Sequence, residues 1–328
     1  MNGPVFVTGG SGFVGGALMR ALVSEGMEVR ALARSTAAGE AVADLGAAPV
    51  HGDLEDARAL EAGMRGCEVV FHAAGVNEMC VRDATPMYRA NVEGAGAVVR
   101  AAAAAGVERV VHTSSASTIG EESGTSGSED SPHRGSFLSH YERSKHLGER
   151  EALELGEKLG VEVVCVNPSS VQGPGRTTGT ARLLLRVASA KTAVLVRTVL
   201  SIVDVDDCTR GHLLAAQRGE AGERYLLSGV TLTTKEAVDL VREATDRPER
   251  VVWVPRAVVR AATPLAALIP GADRPVCPAM LRTLLHGHRY DGSRATRALG
   301  LTYMPIQETV LRTVSWYHQH GLLVDRAG

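Results

Sequence analysis

The feature that most constrains the fold lies near the N-terminus. The apolar run Val5–Val7 leads at once into Thr8-Gly-Gly-Ser-Gly-Phe-Val-Gly15, and a stretch of helical period follows from Gly12 to Glu25. A side chain at Gly9 would hinder the tight turn. One at Gly12 would hold a phosphate away from the helix N-terminus, and one at Gly15 would obstruct packing of the helix on the strand. The free N–H groups and the dipole of the first helical turn attract anions. With 36 glycines in the chain, glycine spacings arise easily by chance, so the weight rests on the strand before the loop and the amphipathic helix after it. With Ser11, Phe13 and Val14 completing the turn, the segment reads as a dinucleotide-binding loop.

The rest of the first half alternates short β-branched runs with longer Ala/Leu-rich stretches. Strands are expected at Glu28–Ala33, Pro49–His51, Val69–His72, Arg109–Thr113 and Glu162–Asn167, with helices at Ala57–Met64, Ala90–Ala105 and His140–Leu159. This order predicts an α/β fold, a Rossmann doubly wound parallel sheet. After Pro168 the rhythm breaks: residues 172–180 form a Gly/Pro/Thr loop, and residues 181–190 read as a helix with arginines on one side. The run Leu200–Val205 then leads through Asp206-Asp207, good N-cap chemistry, into a helix Cys208–Arg218 and a strand Arg224–Leu227 that should rejoin the sheet.

From Thr231 onward, helices at Thr234–Thr245, Val258–Ile269, Pro278–Leu285 and Ile306–His320 predict a smaller, mostly helical substrate lobe. The expected division is 1–173 with 199–228 for the dinucleotide and 174–198 with 229–328 for the substrate. The segment 121–134 is rich in Ser, Gly, Glu and Asp without periodicity, which predicts a mobile loop beside the site.

A formal charge of -2, with 45% hydrophobic and 22% charged residues, leaves no strong field for nucleic acid or an anionic membrane surface. No stretch approaches the roughly 20 apolar residues that span a bilayer, so a cytoplasmic protein is expected. Cys67, Cys80, Cys165, Cys208 and Cys277 are odd in number and scattered, which suits reduced thiols better than a disulfide framework. Only 4% of residues are aromatic, which argues against a large stacking platform for a nucleobase in the substrate.

Cofactor preference is expected at the end of the second strand. An NAD site places a carboxylate there for the ribose 2′-hydroxyl, but Ala33 occupies that place, followed by Arg34 and Ser35. An arginine and a hydroxyl match a 2′-phosphate, so NADP(H) is favoured over NAD(H). A solvated strand-end arginine is the plainer alternative.

Tyr141 and Lys145 are four apart on the predicted helix 140–159 and share a face. A neighbouring ammonium stabilises a phenolate, so this pair can move a proton to or from a substrate oxygen, and the lysine can also bond the nicotinamide ribose. Taken alone, such a pair is an ordinary helix face. Its force comes from Val110-Val-His-Thr-Ser-Ser-Ala-Ser117, which runs off a strand end where such sheets bind ligands. Ser115 is the expected partner of the substrate oxygen, with Thr113 and Ser114 as neighbours able to bond backbone or cofactor instead.

These motifs, in this order, resemble the extended short-chain dehydrogenase/reductases over nearly the whole chain. The resemblance also rests on Gly52-Asp53-Leu54, Phe71-His-Ala-Ala-Gly75, Asn91-Val-Glu-Gly94 and Asn167-Pro-Ser-Ser-Val-Gln-Gly-Pro-Gly175. It implies that Asp53, beside Leu54, bonds the adenine and that Ala73, Ala74 and Gly75 line the cofactor. It further implies that Pro168 to Ser170 border the nicotinamide, that Ser115 polarises the substrate oxygen and that Tyr141 is the acid/base. Asp204-Val-Asp-Asp207 and Gly222-Glu-Arg-Tyr225 look like the branch of dihydroflavonol-reductase-like enzymes and hopanoid-associated sugar epimerases. A homodimer through the 90–105 and 140–159 helices is implied as well. Departures from the family pattern are Ile119 where a Tyr is common, and Gln172 where sugar-nucleotide enzymes have a Tyr before Gly-Pro.

Other constellations carry less. His286-Gly-His288 and His318-Gln-His320 have a spacing that points rings apart on a helix, and neither has a nearby Cys or carboxylate set in the sequence, so no metal is expected. His140, Asn77 and Glu78 are candidates to contact substrate but are equally explained by surface, loop-packing or turn roles, and Met64 and Met87 are explained by helix packing. The expected protein is an NADP(H)-dependent oxidoreductase that reduces a small-molecule ketone or aldehyde, or runs the reverse reaction. The alternatives are a nucleotide-sugar epimerase or dehydratase with retained NAD, and a catalytically silent NADP(H)-sensing protein.

Overall fold

The glycine-loop strand, β1 (Val5–Thr8), pairs in parallel with β2 (Val29–Ala33) on one side and β4 (Val69–His72) on the other. With β3 (Ala48–His51), β5 (Arg109–Thr113), β6 (Glu162–Pro168) and β10 (Arg224–Leu227) these form a parallel seven-stranded sheet of order β10-β6-β5-β4-β1-β2-β3. The computed structural model describes residues 1, 3–189, 192–245, 250–268 and 276–323. The expected doubly wound Rossmann sheet is present, and Arg224–Leu227 rejoins it beside β6. The winding direction reverses between β1 and β4, which opens the crevice where such sheets bind ligands.

Both faces of the sheet are covered, so its central strands are apolar throughout. Val5 and Val7 point to one face, among Leu18, Leu22 and Leu213, while Phe6 points to the other, among Leu60, Met64 and Val98. Helices α1 (Phe13–Ser24), α2 (Thr36–Ala43) and α8 (Val205–Arg218) belong to the first layer; α3 (Ala57–Met64), α5 (Gly94–Ala105) and α6 (His140–Leu159) form the second. Met64 and Met87 are buried packing residues, as expected.

The expected helix at Ala90 starts differently. A short α4 (Thr85–Tyr88) runs into a π-helical turn over Arg89–Glu93 before α5 begins. The wider turn directs the Asn91 side chain inward, where its Oδ1 accepts from Val76 N at 2.8 Å and its Nδ2 donates to Val76 O and Ser144 Oγ, both at 2.9 Å. α6 closes over this turn through Gly148, where a Cβ would lie 1.9 Å from the Asn91 carbonyl oxygen.

The later portion of the chain adds strands that the hydrophobic period does not announce. β7 (Ser170–Gln172), β9 (Val199–Asp204) and β11 (Val230–Thr233) form a three-stranded sheet, and β8 (Thr192–Val196) pairs in parallel with β12 (Arg250–Val254). Around them lie α7 (Ala181–Ser189), α9 (Thr234–Thr245), α10 (Arg256–Ala262), α11 (Pro278–His286) and α12 (Ile306–Gln319). The helix expected over Val258–Ile269 is instead α10 followed by a 3₁₀ turn, Leu265–Leu268, because Pro264 cannot continue an α-helix. Ile269, and Ala190 at the end of another expected helix, lie outside the described residues.

Two expectations are corrected. The segment 121–134 is anchored: Glu129 accepts from Leu226 N at 2.8 Å, Arg224 donates to Glu129 O at 2.6 Å, and Gly127 bridges to Tyr290. Its carboxylates at 121 and 129 are buried, and burial requires such partners. Not all five cysteines are free either. Cys80 and Cys277 form a disulfide with their Cα atoms 5.6 Å apart, a pairing across 197 residues that spacing does not reveal, whereas Cys67, Cys165 and Cys208 are buried free thiols. Among the described residues, no helix is long and apolar enough to cross a membrane.

Candidate functional site

Three strand ends meet at the crevice. The Thr8 hydroxyl bonds His72 Nδ1 at 2.7 Å and accepts from Ala74 N at 3.3 Å, while Ala73 N donates to Thr8 O at 3.1 Å. The Ala73–Gly75 segment is thereby laid against the glycine loop. Gly9 has φ +76° and no room for a side chain, since a Cβ there would lie 2.5 Å from Ala74 N. At Gly15 a Cβ would lie 2.1 Å from Gly9 O, so this glycine permits the helix to pack. A Cβ at Gly12 would meet only Gly9 O, at 3.2 Å, which leaves the helix entrance open, and the first turn of α1 carries no acidic residue. This cradle fits a dinucleotide pyrophosphate.

Around the cradle, Arg34 is exposed and makes no ion pair or hydrogen bond among the described residues, whereas Ser35 already caps α2 by accepting from Ala38 N at 3.2 Å. Asp53 Oδ1 accepts from Glu55 N at 2.8 Å and Asp56 N at 3.1 Å, and Leu54 packs against Gly94. Ser11 is exposed, Val14 packs on the core, and Phe13 lies 5.5 Å beneath the guanidinium of Arg176. Pro168 ends β6, and Ser170 is engaged with Thr180 Oγ1 at 2.6 Å and Gln172 Nε2 at 2.8 Å.

Lys145 and Tyr141 both face this region from α6, four residues apart. Lys145 Nζ is buried, donates to Thr113 O at 2.7 Å and lies 3.8 Å from where a Cβ on Gly75 would be. Burial lowers its pKa to about 8, opposed by the carboxylate of Glu149. The Tyr141 phenol has its own surroundings. Burial raises its pKa, and the nearby Ser115 hydroxyl and the Arg176 guanidinium favour the phenolate. Ser115 itself caps the 3₁₀ turn Ala116–Ile119 and lies 3.0 Å from Ser117 Oγ. Ser114 Oγ is buried without a partner among the described residues. Thr113 spends its hydroxyl on His212 Nε2 at 2.9 Å, leaving its carbonyl for Lys145.

Behind Lys145 stand groups the sequence does not single out. Glu149 is buried; its Oε2 accepts from Thr118 Oγ1 at 3.1 Å and from Asn167 Nδ2, and its Oε1 lies 3.2 Å from Arg224 Nη1. His72, His112 and His212 are buried under the strand ends. Burial holds His72 at about 3 and His212 at about 4, with the Lys145 charge also acting on His72 and His112, so all three are neutral. Arg176 is a lone cation in a Gly/Pro/Thr loop, which is a faint signal, whereas Glu149 stands four residues after Lys145 on α6, a spacing that shares a helix face. His140 Nδ1 is 3.2 Å from the Tyr88 hydroxyl, and Asn77 and Glu78 are exposed.

Comparison with known proteins agrees with this geometry. Residues 5–228 match the model of the NAD dependent epimerase/dehydratase family. The chain is 32% identical to a putative dihydroflavonol 4-reductase of Synechocystis, covering 96% of this chain and 95% of that one. It is 33% identical to a 4-hydroxy-2-methyl-3-oxo-4-farnesyl-3,4-dihydroquinoline-1-oxide ketoreductase of Stigmatella aurantiaca, with 90% of each chain covered. The dTDP-glucose 4,6-dehydratase DesIV of Streptomyces venezuelae, solved as a double mutant with NAD bound, superposes with a TM-score of 0.78 at 25% identity, covering 97% of this chain and 98% of that one. The chain belongs to the NAD dependent epimerase/dehydratase family, whose members bind a nicotinamide dinucleotide.

Proposed function

We propose that this family member is an NADP(H)-dependent oxidoreductase that reduces a ketone or aldehyde on a small molecule, with Tyr141 as the acid/base. The observation that carries the reading is the convergence of Ser115, Arg176 and the Tyr141 phenol at the crevice that the glycine loop opens. Two full-length relatives named as reductases, each above 30% identity, support the same direction of chemistry.

When bound, the nicotinamide supplies the hydride to the carbonyl carbon. Ser115 holds the carbonyl oxygen by hydrogen bonding, and Tyr141 gives that oxygen its proton as the C–O bond becomes an alcohol. The resulting phenolate is stabilised by Arg176 and Ser115. Lys145, anchored on Thr113 O beside Gly75, holds the ribose next to the nicotinamide. Arg34 pairs with the 2′-phosphate; its exposure, its lack of a partner among the described residues and the absence of a carboxylate at Ala33 support the choice of NADP(H). Residues 1–173 and 199–228 hold the cofactor in this reading, and 174–198 with 229–328 the substrate; the protein works in the cytoplasm as a homodimer.

One observation favours a second reading, an epimerase or dehydratase of a sugar nucleotide with retained NAD. A cavity of about 440 Å³ is lined by Arg197, Lys235, Arg256 and Arg289, a charge that suits a diphosphate. A panel of ketones, aldehydes and sugar nucleotides, followed by NADPH absorbance, separates the two. Stoichiometric NADPH oxidation with a carbonyl compound, lost in Tyr141→Phe with NADPH affinity kept, supports the reductase. NAD retained through purification, with turnover of a sugar nucleotide and no net cofactor consumption, refutes it.

A further inference from the structure

We propose that Glu121, His286 and His288 bind a divalent transition-metal ion of the zinc class, clamping the segment after β5 to the end of α11. Glu121 follows the 3₁₀ turn Ala116–Ile119, and His286 is the last residue of α11. Gly287, with φ +72°, then reverses the chain, so the rings of His286 and His288 converge with their centroids 4.9 Å apart. The spacing that would separate these rings on a continuous helix therefore brings them together. One ligand atom from each residue lies within 4.8 Å of the others. The expectation that no carboxylate accompanies this histidine pair is corrected by the approach of Glu121 from a distant stretch of the chain.

A pair of nitrogen or oxygen atoms on a tetrahedral zinc, each at roughly 2.0–2.1 Å from the ion, are about 3.3 Å apart. Glu121 Oε1 is 3.4 Å from His286 Nε2, already at that spacing, and 2.7 Å from His288 Nδ1, which must open by about 0.6 Å and give up its 2.9 Å contact with the Tyr290 hydroxyl. The Glu121 side chain is 1% exposed, yet its Oε2 has no hydrogen-bond partner among the described residues, and neither has His286 Nε2. Buried polar atoms left without partners are the exception in folded proteins. An ion held through Oε1 would give His286 Nε2 its partner. The 440 Å³ cavity has His286 and Gly287 on its wall and gives an entry path. Two imidazoles with one carboxylate suit zinc or cobalt rather than calcium or magnesium.

The test uses the untagged full-length protein, stripped with EDTA and dialysed against limiting ZnCl2, with metal content measured by mass spectrometry. The expected result is one bound equivalent in the wild type and at least about 100-fold weaker binding in His286→Ala, His288→Ala and Glu121→Gln. CoCl2 should produce the intense visible absorption of a four-coordinate ion in the wild type alone, and ZnCl2 should raise the thermal midpoint of the wild type but not of Glu121→Gln. Circular dichroism establishes that each variant is folded; Glu121→Gln, which keeps the side-chain shape and an acceptor for the histidines, decides the matter if a histidine variant unfolds. Folded wild-type protein that retains no metal would overturn the proposal. So would equal binding by wild type and variants, which would place the ion elsewhere, for example on His318 and His320.

Discussion

Glu149 and Arg224 form the buried charge pair whose loss should be felt both in stability and at the candidate site. Arg224→Met removes the guanidinium that lies 3.2 Å from Glu149 Oε1 and leaves a carboxylate whose side chain is 4% exposed. Stranding one partner of a buried pair costs about 3–5 kcal/mol, and the low end applies because the Arg224 side chain is 25% exposed. The lost bond to Glu129 O adds about 1 kcal/mol, for a total of about 4 kcal/mol. Glu149→Gln keeps an acceptor for Thr118 and costs less, about 1.5 kcal/mol. In the double variant no charge is stranded, so the cost should be about 3 kcal/mol and the coupling about 2.5 kcal/mol. Urea unfolding followed by far-ultraviolet circular dichroism, at unchanged m-value, measures all three. Additive costs within about 0.5 kcal/mol would refute the reasoning. The same Glu149→Gln variant should lower the pKa of Lys145 below its value of about 8, because the carboxylate is the main group raising it. The alkaline limb of the rate profile would then move to lower pH.

Further predictions concern the cofactor, acid and packing. Arg34→Ala should weaken NADPH at least about tenfold, worth about 1.4 kcal/mol, while leaving NADH nearly unchanged, as read by fluorescence titration; equal losses would mean that the guanidinium does not read the phosphate. His72 and His212 have folded pKa values of about 3 and 4, below the ordinary 6.5, so the unfolded chain binds protons first as pH falls. Their stability contribution is intact above pH 6.5 and declines toward those lower values, by about 2 kcal/mol per imidazole at pH 5. Chemical unfolding at pH 7 and 5 checks this, and identical stabilities would contradict it. Gly148→Ala should destabilise by about 2–3 kcal/mol, since its Cβ would meet the Asn91 carbonyl at 1.9 Å and force α6 away from the π turn. A thermal midpoint equal to that of the wild type would show that α6 yields freely there.

What the sequence reveals follows from range. The glycine loop, the short apolar runs of the central strands and the helical period of α6 are local signals, so their positions are legible to within a residue or two. The small strands Ser170–Gln172 and Val230–Thr233 are too short to show a period, and Pro264 breaks a helix that hydrophobicity alone would continue. At the site, Tyr141 and Lys145 are legible because they share one helix face. Arg176 and the Cys80–Cys277 bond are not, since each acts across a fold the sequence only implies. His286 and His288 mislead in the opposite sense, because a helical spacing rule fails where Gly287 ends the helix.

The π turn at Arg89–Glu93 also ties the chain's length here to its design. A π turn holds one residue more than an α-helical path through the same place, so everything beyond it is advanced by about 100° around the helix axis. The face of α5 that meets the sheet, with Ala95, Val98, Val99 and Ala102, is presented inward by that offset. Deleting one residue from this turn would leave a perfectly good helix with its apolar stripe rotated out of the core and Asn91 withdrawn from Val76. Neighbouring sequences aligned without a gap at this point are thus expected to share the turn, and a one-residue gap there marks a chain that must hold its crevice by other means.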